Sequence, residues 1–217
     1  MRILILIILV LALASCGDNS GTLSNIFMNK NKFESLVKRF ESEERAQSQK
    51  PEKVLDLFGP IRGKKIMDIG AGTGYFGFRM ARRGATVISA DVDDRFIDYV
   101  NKKKVELADT LVVTRKVEYD DPLLGAAEVD HVIIVNTYHH INDRPDYFKK
   151  VFKGIKPGGS LMVVDFKKEG DGPGPPRRYR VSTDKAEKEL TKSGFTSFEV
   201  NKELLSDQYV LIAHKSQ

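Results

Sequence analysis

Between residues 65 and 214, short apolar runs of strand length alternate with stretches whose apolar residues recur at helical spacing. Residues 65–69, 86–90, 111–117, 131–135 and 160–166 read as strands. Three helices separate them. The first covers 75–83 and stops at Gly84, and the second buries Phe96, Ile97 and Val100. The third carries Tyr147, Phe148, Val151, Phe152 and Ile155 on one stripe, with Asn142 or Asp143 as its cap and Pro145 in its first turn. The run 131–135 is nearly all apolar, as expected of a central parallel strand covered on both faces. The pattern therefore predicts an α/β fold: a doubly wound, Rossmann-like sheet between two helical layers. A charged helix at 182–193 follows, and the runs 196–200 and 208–214 lie close enough to pair as a hairpin. In such sheets ligands bind outside the carboxyl ends of the strands.

The first of those ends is the stretch MDIGAGTGYFGFRM, residues 67–80. Glycines there let the backbone turn tightly and approach a ligand with no Cβ in the way. Two patterns overlap in it. Gly72-x-Gly74-x-x-Gly77 fits the dinucleotide fingerprint and points to a nicotinamide oxidoreductase. Gly70-x-Gly72-x-Gly74, with Asp68 ahead of it, fits another cofactor. A carboxylate at the strand end disfavours a pyrophosphate and suits a ligand bearing a cation, such as the ammonium and sulfonium of S-adenosylmethionine. Asp91 ends the second strand, where an acid accepts hydrogen bonds from ribose hydroxyls, a feature nicotinamide enzymes share.

The combination resembles the class I S-adenosylmethionine-dependent methyltransferases. Asp68-Ile69-Gly70-Ala71-Gly72-Thr73-Gly74 is similar to their first motif, Asp91-Val92-Asp93 to their second, and Lys156-Pro157-Gly158-Gly159 to the turn before their fifth strand. The resemblance covers roughly residues 50–215. It implies a seven-stranded sheet, mostly parallel, with only the last strand antiparallel. By position it implies that Gly70, Ala71, Gly72 and Gly74 pack under the methionine portion and ribose, and that Asp68 holds the amino group directly or through water. Asp91 would bind the ribose hydroxyls, Val92 would lie against the adenine, and Asp120 would meet the adenine amino group unless it or Asp121 merely caps the turn. After strand four comes Asn136-Thr137-Tyr138-His139-His140-Ile141, where donor and acceptor meet in this family. Asn136 would line the cofactor pocket, and Tyr138 or His139 would orient the nucleophile or take its proton. That stretch lacks the Asn/Asp-Pro-Pro-Tyr/Phe of amino-methylating nucleic-acid enzymes. Together with Asp165-Phe166-Lys167, the His-His pair resembles the small-molecule and quinone-type branch.

The N-terminus has a separate character. Arg2 is followed by the apolar residues 3–14, too few for a bilayer span of ~20 residues and the right length for a signal sequence. Leu13-Ala14-Ser15-Cys16 ends it, and Cys16 is the only cysteine in the chain. This resembles the bacterial lipoprotein signal, in which that cysteine is lipidated; an ordinary signal peptide with an incidental cysteine is the alternative. The expected organisation is a signal peptide at 1–15, a polar tether at 16–29, an N-terminal lid helix at 30–50 and the methyltransferase domain at 51–217. One cysteine allows no internal disulfide and no thiolate metal cluster, so no metal is expected.

A net charge of +5 with scattered lysines, and no basic stripe with interleaved aromatics, argues against a nucleic-acid partner. The loop at 170–176 and the arginines Arg177, Arg178 and Arg180 complete the expected substrate lid, either meeting an anionic substrate or lipid surface or simply solvated. The sequence thus points to a membrane-tethered S-adenosylmethionine methyltransferase with a small-molecule or lipid-like acceptor, its oligomeric state left open. A non-catalytic lipoprotein that keeps the fold and binds the cofactor or its product is the alternative, because an exported domain would face a cofactor made in the cytosol.

Overall fold

The computed structural model describes residues 33–169 and 172–217. The expected signal peptide, Cys16 and the tether lie outside the described residues. A sheet of seven strands forms the middle layer: β1 (Lys65–Ile69), β2 (Thr86–Asp91), β3 (Val112–Lys116), β4 (Val129–Val135), β5 (Ile155–Phe166), β6 (Ser197–Asn201) and β7 (Gln208–His214). Their order is β3-β2-β1-β4-β5-β7-β6. The pairs β1/β2, β1/β4, β2/β3 and β4/β5 are parallel, and β7 runs antiparallel to both β5 and β6. The expected doubly wound sheet with one antiparallel strand is what the chain forms. Strand order reverses between β1 and β4, which opens a crevice at their carboxyl ends.

The strands are apolar at successive positions because both faces are covered. Met67, Val132, Ile134, Leu161 and Leu211 point to a core shared with α6 (Arg144–Gly154) and α7 (Thr183–Ser193). Their neighbours Ile66, Ile133, Val135, Met162 and Ile212 point to a second core, with α3 (Pro51–Asp56), α4 (Gly77–Arg82) and α5 (Asp94–Glu106). Two apolar faces per strand give the three-layer αβα architecture.

Several local expectations are corrected. The lid helix expected at 30–50 is two helices, α1 (Phe33–Phe40) and α2 (Glu43–Gln49). The break falls at Ser42, whose hydroxyl accepts the Arg45 N–H and starts a new helix. Asp143 does precede α6, but with φ 40° and no side-chain cap; Pro145 in the first turn fixes the entry instead. Ile155, expected on the α6 stripe, opens β5 by pairing with Val129, and the Lys156–Gly159 turn is a register shift inside that strand. No helix among the described residues is long and apolar enough to cross a membrane.

Candidate functional site

A cleft of about 1550 Å³ runs along the carboxyl ends of β1, β2, β4 and β5. Single small-molecule pockets span about 300–1000 Å³, so this one has room for two ligands side by side.

One wall is the glycine turn after β1. Gly70, Gly72 and Gly74 have φ of 70°, 55° and 72°, and the Gly70 and Ala71 N–H groups donate to Ala90 O at 2.9 and 3.0 Å, tying the turn to β2. Gly70, Ala71 and Gly72 line the cleft. A Cβ on Gly70 would run into the Thr137 side chain, and one on Gly72 would sit 3.3 Å from the Phe40 ring. Gly74 does not line the cleft; its missing Cβ makes room for Phe78 and Val100. Gly77 opens α4 and lets it pack on Ser89. The third glycine of the dinucleotide pattern is therefore a helix–strand contact.

The two aspartates differ in placement. Asp91 lines the cleft, 8% exposed, and accepts the Gly72 N–H at 2.9 Å and the Asp93 N–H at 3.0 Å. Burial pushes its carboxyl up to about 6, against the pull of those N–H groups. Asp68 is buried behind the turn and does not line the cleft. Burial pushes it up to about 7, opposed by the nearby Arg45 guanidinium and by the Gly77 N–H that donates to it. It braces the turn from beneath instead of facing a ligand. At the next strand end, Val92, Phe96 and Val117 line the cleft, but Asp120 is exposed and stays outside it. Asp121 pairs with Lys150 and caps the turn at Leu123, and the chain offers Glu118 and Tyr119 to the cleft in their place.

The opposite wall is the turn after β4. Asn136 lines the cleft with φ 55°, and its Oδ1 accepts from Gln208 Nε2. A single 3₁₀ turn, Tyr138–His140, then sends adjacent side chains to opposite sides. Tyr138 is fully buried, donates to Glu189 Oε2 at 2.9 Å and stacks on Phe148, so it is a core residue and not a cleft base. Burial and the Glu189 carboxylate hold its hydroxyl far above the ordinary tyrosine range. His139 faces the cleft. Its backbone N–H donates to Asp165 Oδ2 at 3.0 Å, and its Nδ1 lies 2.8 Å from Asp165 Oδ1. Since a carboxylate only accepts, Nδ1 carries the proton and Nε2 is the basic nitrogen. His140 also lines the cleft, and burial, with His139 beside it, pushes it down to about 4, so it stays neutral.

Residues not singled out for the site complete it. Asp165 is the penultimate residue of β5; its signal was a lone carboxylate near the end of an apolar strand. Arg45 and Gln49 come from α2, and Gln208 from β7. Gln49 Nε2 donates to Gln208 Oε1 at 3.2 Å, so α2 is joined to Asn136 through two amides. Phe33 and Phe40 of α1 pack against Phe96, and Glu41 pairs with Lys103 at 2.8 Å, which seats α1 beside the cleft. Of the lid arginines, Arg180 is buried and holds the loop carbonyls of Pro175 and Gly172 at 2.8 Å each, a clamp and not a substrate contact. Among the described residues there is no His/Cys/Asp/Glu cluster able to hold a metal.

A family model described as "Methyltransferase domain" matches residues 67–163, a little under half of the chain. Phosphoethanolamine N-methyltransferase 1 of Zea mays is 31% identical over 52% of this chain and 22% of its own. A ubiquinone/menaquinone biosynthesis C-methyltransferase of Pasteurella multocida is 30% identical over 52% of this chain and 44% of its own. The chain thus spans less than half the length of these relatives. In structure it is similar to an S-adenosylmethionine-dependent methyltransferase from Aquifex aeolicus, with TM-score 0.75 and 24% identity over 83% of this chain and 97% of that one. It is also similar to Haemonchus contortus phosphoethanolamine N-methyltransferase 2 in complex with S-adenosyl-L-methionine, with TM-score 0.67 and 18% identity over 78% and 53%. Residues 67–163 match a methyltransferase-domain model, and the chain has the fold of S-adenosylmethionine-dependent methyltransferases.

Proposed function

We propose that this chain transfers a methyl group from S-adenosylmethionine to a small-molecule or lipid-like acceptor, and that it does so tethered to a membrane through a lipidated Cys16. One observation carries the catalytic part. The bare glycine turn with Asp91, and the His139–Asp165 pair, face each other across a single cleft large enough for donor and acceptor.

The wall at the glycine turn fits the donor. Gly70 and Gly72 present backbone where any side chain would collide or crowd. Asp91, already accepting two N–H groups, is placed for a ribose diol, and Val92 and Phe96 for the face of an adenine. Glu118, in place of Asp120, is the carboxylate on the cleft for the adenine amino group. Bound there, the donor supplies an electrophilic methyl on a sulfonium. The rest falls to alignment and exclusion of water, which supply much of the acceleration in such transfers. His139 Nε2 takes the acceptor's proton, while Asp165 holds the ring and stabilises the imidazolium that results. His140, being neutral, adds no further positive charge that would repel a sulfonium.

The apolar residues 3–14 ending at Cys16 support the tether. Calorimetry on the purified full chain with S-adenosylmethionine, S-adenosylhomocysteine and NAD tests the cofactor. Binding of the first two, lost in Asp91→Ala, is expected; NAD binding in their place would overturn the assignment. Tight binding without turnover on a broad acceptor panel would favour a binding lipoprotein. Labelled palmitate incorporated by the wild type but not by Cys16→Ser is the expected outcome for the tether.

A further inference from the structure

Among the described residues, the partly buried arginines other than Arg45 are paired with a carboxylate or have every guanidinium nitrogen engaged. Among the described residues, Arg83 holds Glu52 at 2.6 Å, Arg95 holds Asp93 at 2.5 Å, Arg115 holds Glu128 at 2.6 Å and Arg144 holds Glu189 at 2.7 Å. Arg180 has no carboxylate but engages Nε, Nη1 and Nη2 with backbone carbonyls. Arg45 differs from all of them. Helix α2 places it on the cleft beside the glycine turn, with its guanidinium 4.3 Å from the centre of the Tyr75 ring. Nε donates to Gln49 Oε1 at 2.6 Å and Nη1 to Phe40 O at 3.0 Å. Nη2 has no hydrogen-bond partner among the described residues, and no carboxylate there comes within ion-pair distance.

The shortfall is electrostatic. Burial pushes the Arg45 guanidinium down to about 10, and attraction from Tyr75, Asp68 and Glu41 offsets only part of it. Asp68, the acid of the glycine turn, is occupied by the Gly77 N–H and lies off the cleft. A half-desolvated guanidinium facing a cavity with donors to spare is a receptor for an anion, and its planar fork suits a carboxylate. Other cations on the cleft do not compete. Arg95 and Lys116 are paired with Asp93 and Asp94, and Arg39 is exposed to water, where a charge pair is worth little. The amino-acid part of the proposed donor carries such a carboxylate.

We infer that Arg45, carried by α2 and steadied through Gln49, binds the α-carboxylate of the methyl donor between the N-terminal helices and the glycine turn. The inference rests on the S-adenosylmethionine assignment and adds a residue from outside the matched domain segment. Because Gln49 also bonds Gln208, which in turn bonds Asn136, capture of the carboxylate holds α2 against the wall that faces the acceptor. Residues 33–49 thereby become part of the donor site.

The test pairs two ligands with two variants of the full chain in detergent. Decarboxylated S-adenosylmethionine keeps the adenosine, sulfonium and ammonium and lacks only the carboxylate. The quantity read is the ratio of its Kd to that of S-adenosylmethionine. For Arg45→Met that ratio is expected to fall about 10- to 100-fold from the wild-type value, the scale of one charge-assisted contact. Arg45→Lys, which keeps both stem and charge, is expected to retain part of it. An unchanged ratio in both variants, whether the two affinities fall together or not at all, overturns the inference and leaves the donor assignment standing. Failure of the wild type to bind either ligand overturns both.

Discussion

The two walls of the cleft are built differently. The donor wall is local: Asp68, Gly70, Gly72 and Asp91 lie within 24 residues, held by strand ends and backbone N–H groups. The acceptor wall is assembled from the whole chain. His139 is oriented by a residue 26 positions away, Asn136 by one 72 away, and Gln208 itself by Gln49, 159 away. A wall made of backbone conformation tolerates no side chain, whereas one made of side-chain pairs loses function in steps as pairs are removed.

Gly70→Val is the severest test of that contrast. It forces a β-branched residue to φ 70° and drives it into Thr137. Strain and overpacking together are expected to cost about 2–5 kcal/mol in urea unfolding, with donor binding abolished in calorimetry. Normal binding would mean the turn is not the donor wall.

Asp165→Ala probes the other wall. It leaves the His139 N–H and ring nitrogen without their acceptor, at a cost of about 1–3 kcal/mol in the same unfolding assay. Donor affinity should stay within about threefold, while turnover on an acceptor, once found, falls by about 10²–10⁴. Equal loss of donor binding would merge the two walls into one.

The pH response sharpens the difference further. Asp68 and Asp91 titrate at about 7 and about 6 in the folded chain, above their ordinary carboxylate values, because burial disfavours their charge. The folded state therefore holds more protons than the unfolded state between about pH 4 and pH 7. The stability these groups contribute is fully present below that window and is lost as pH rises through it. Affinity for the cationic donor should move the other way, rising around pH 6 as Asp91, the carboxylate on the cleft, ionises. Asp91→Asn should flatten the binding profile, whereas His139→Ala should leave it in place, as read by calorimetry at fixed ionic strength.

The smallest effect separates neighbours. Tyr138→Phe deletes one hydroxyl bonded to Glu189 on the far side of the turn. About 1 kcal/mol of stability should go, and turnover should stay within about twofold. A large loss of turnover would return Tyr138 to the cleft.

How much of this was legible beforehand follows the same division. The strand and helix alternation and the glycine turn are patterns of period and punctuation, so the doubly wound sheet and its donor wall can be found without coordinates. The local signal has limits even there. Gly74 and Gly77 look like ligand residues but serve the packing of α4, and Asp68 looks like a ligand carboxylate but lies beneath the turn. Spacing along a chain does not reveal which side of a turn a side chain takes. The same is true of Tyr138 and His139, equal candidates until one turn of 3₁₀ helix sends the first into the core and the second to Asp165.

By itself, then, the sequence determined the fold class, the place of the cleft and the glycine turn that forms one of its walls, because periodicity and glycine act over a few residues. Tertiary structure decided which aspartate faces the cleft, which of two neighbours lines it, and that an arginine from a helix before the matched segment lies beside the glycine turn. Those outcomes depend on burial and on pairs closed by distant segments. Their free energy exists only once the chain has brought them together.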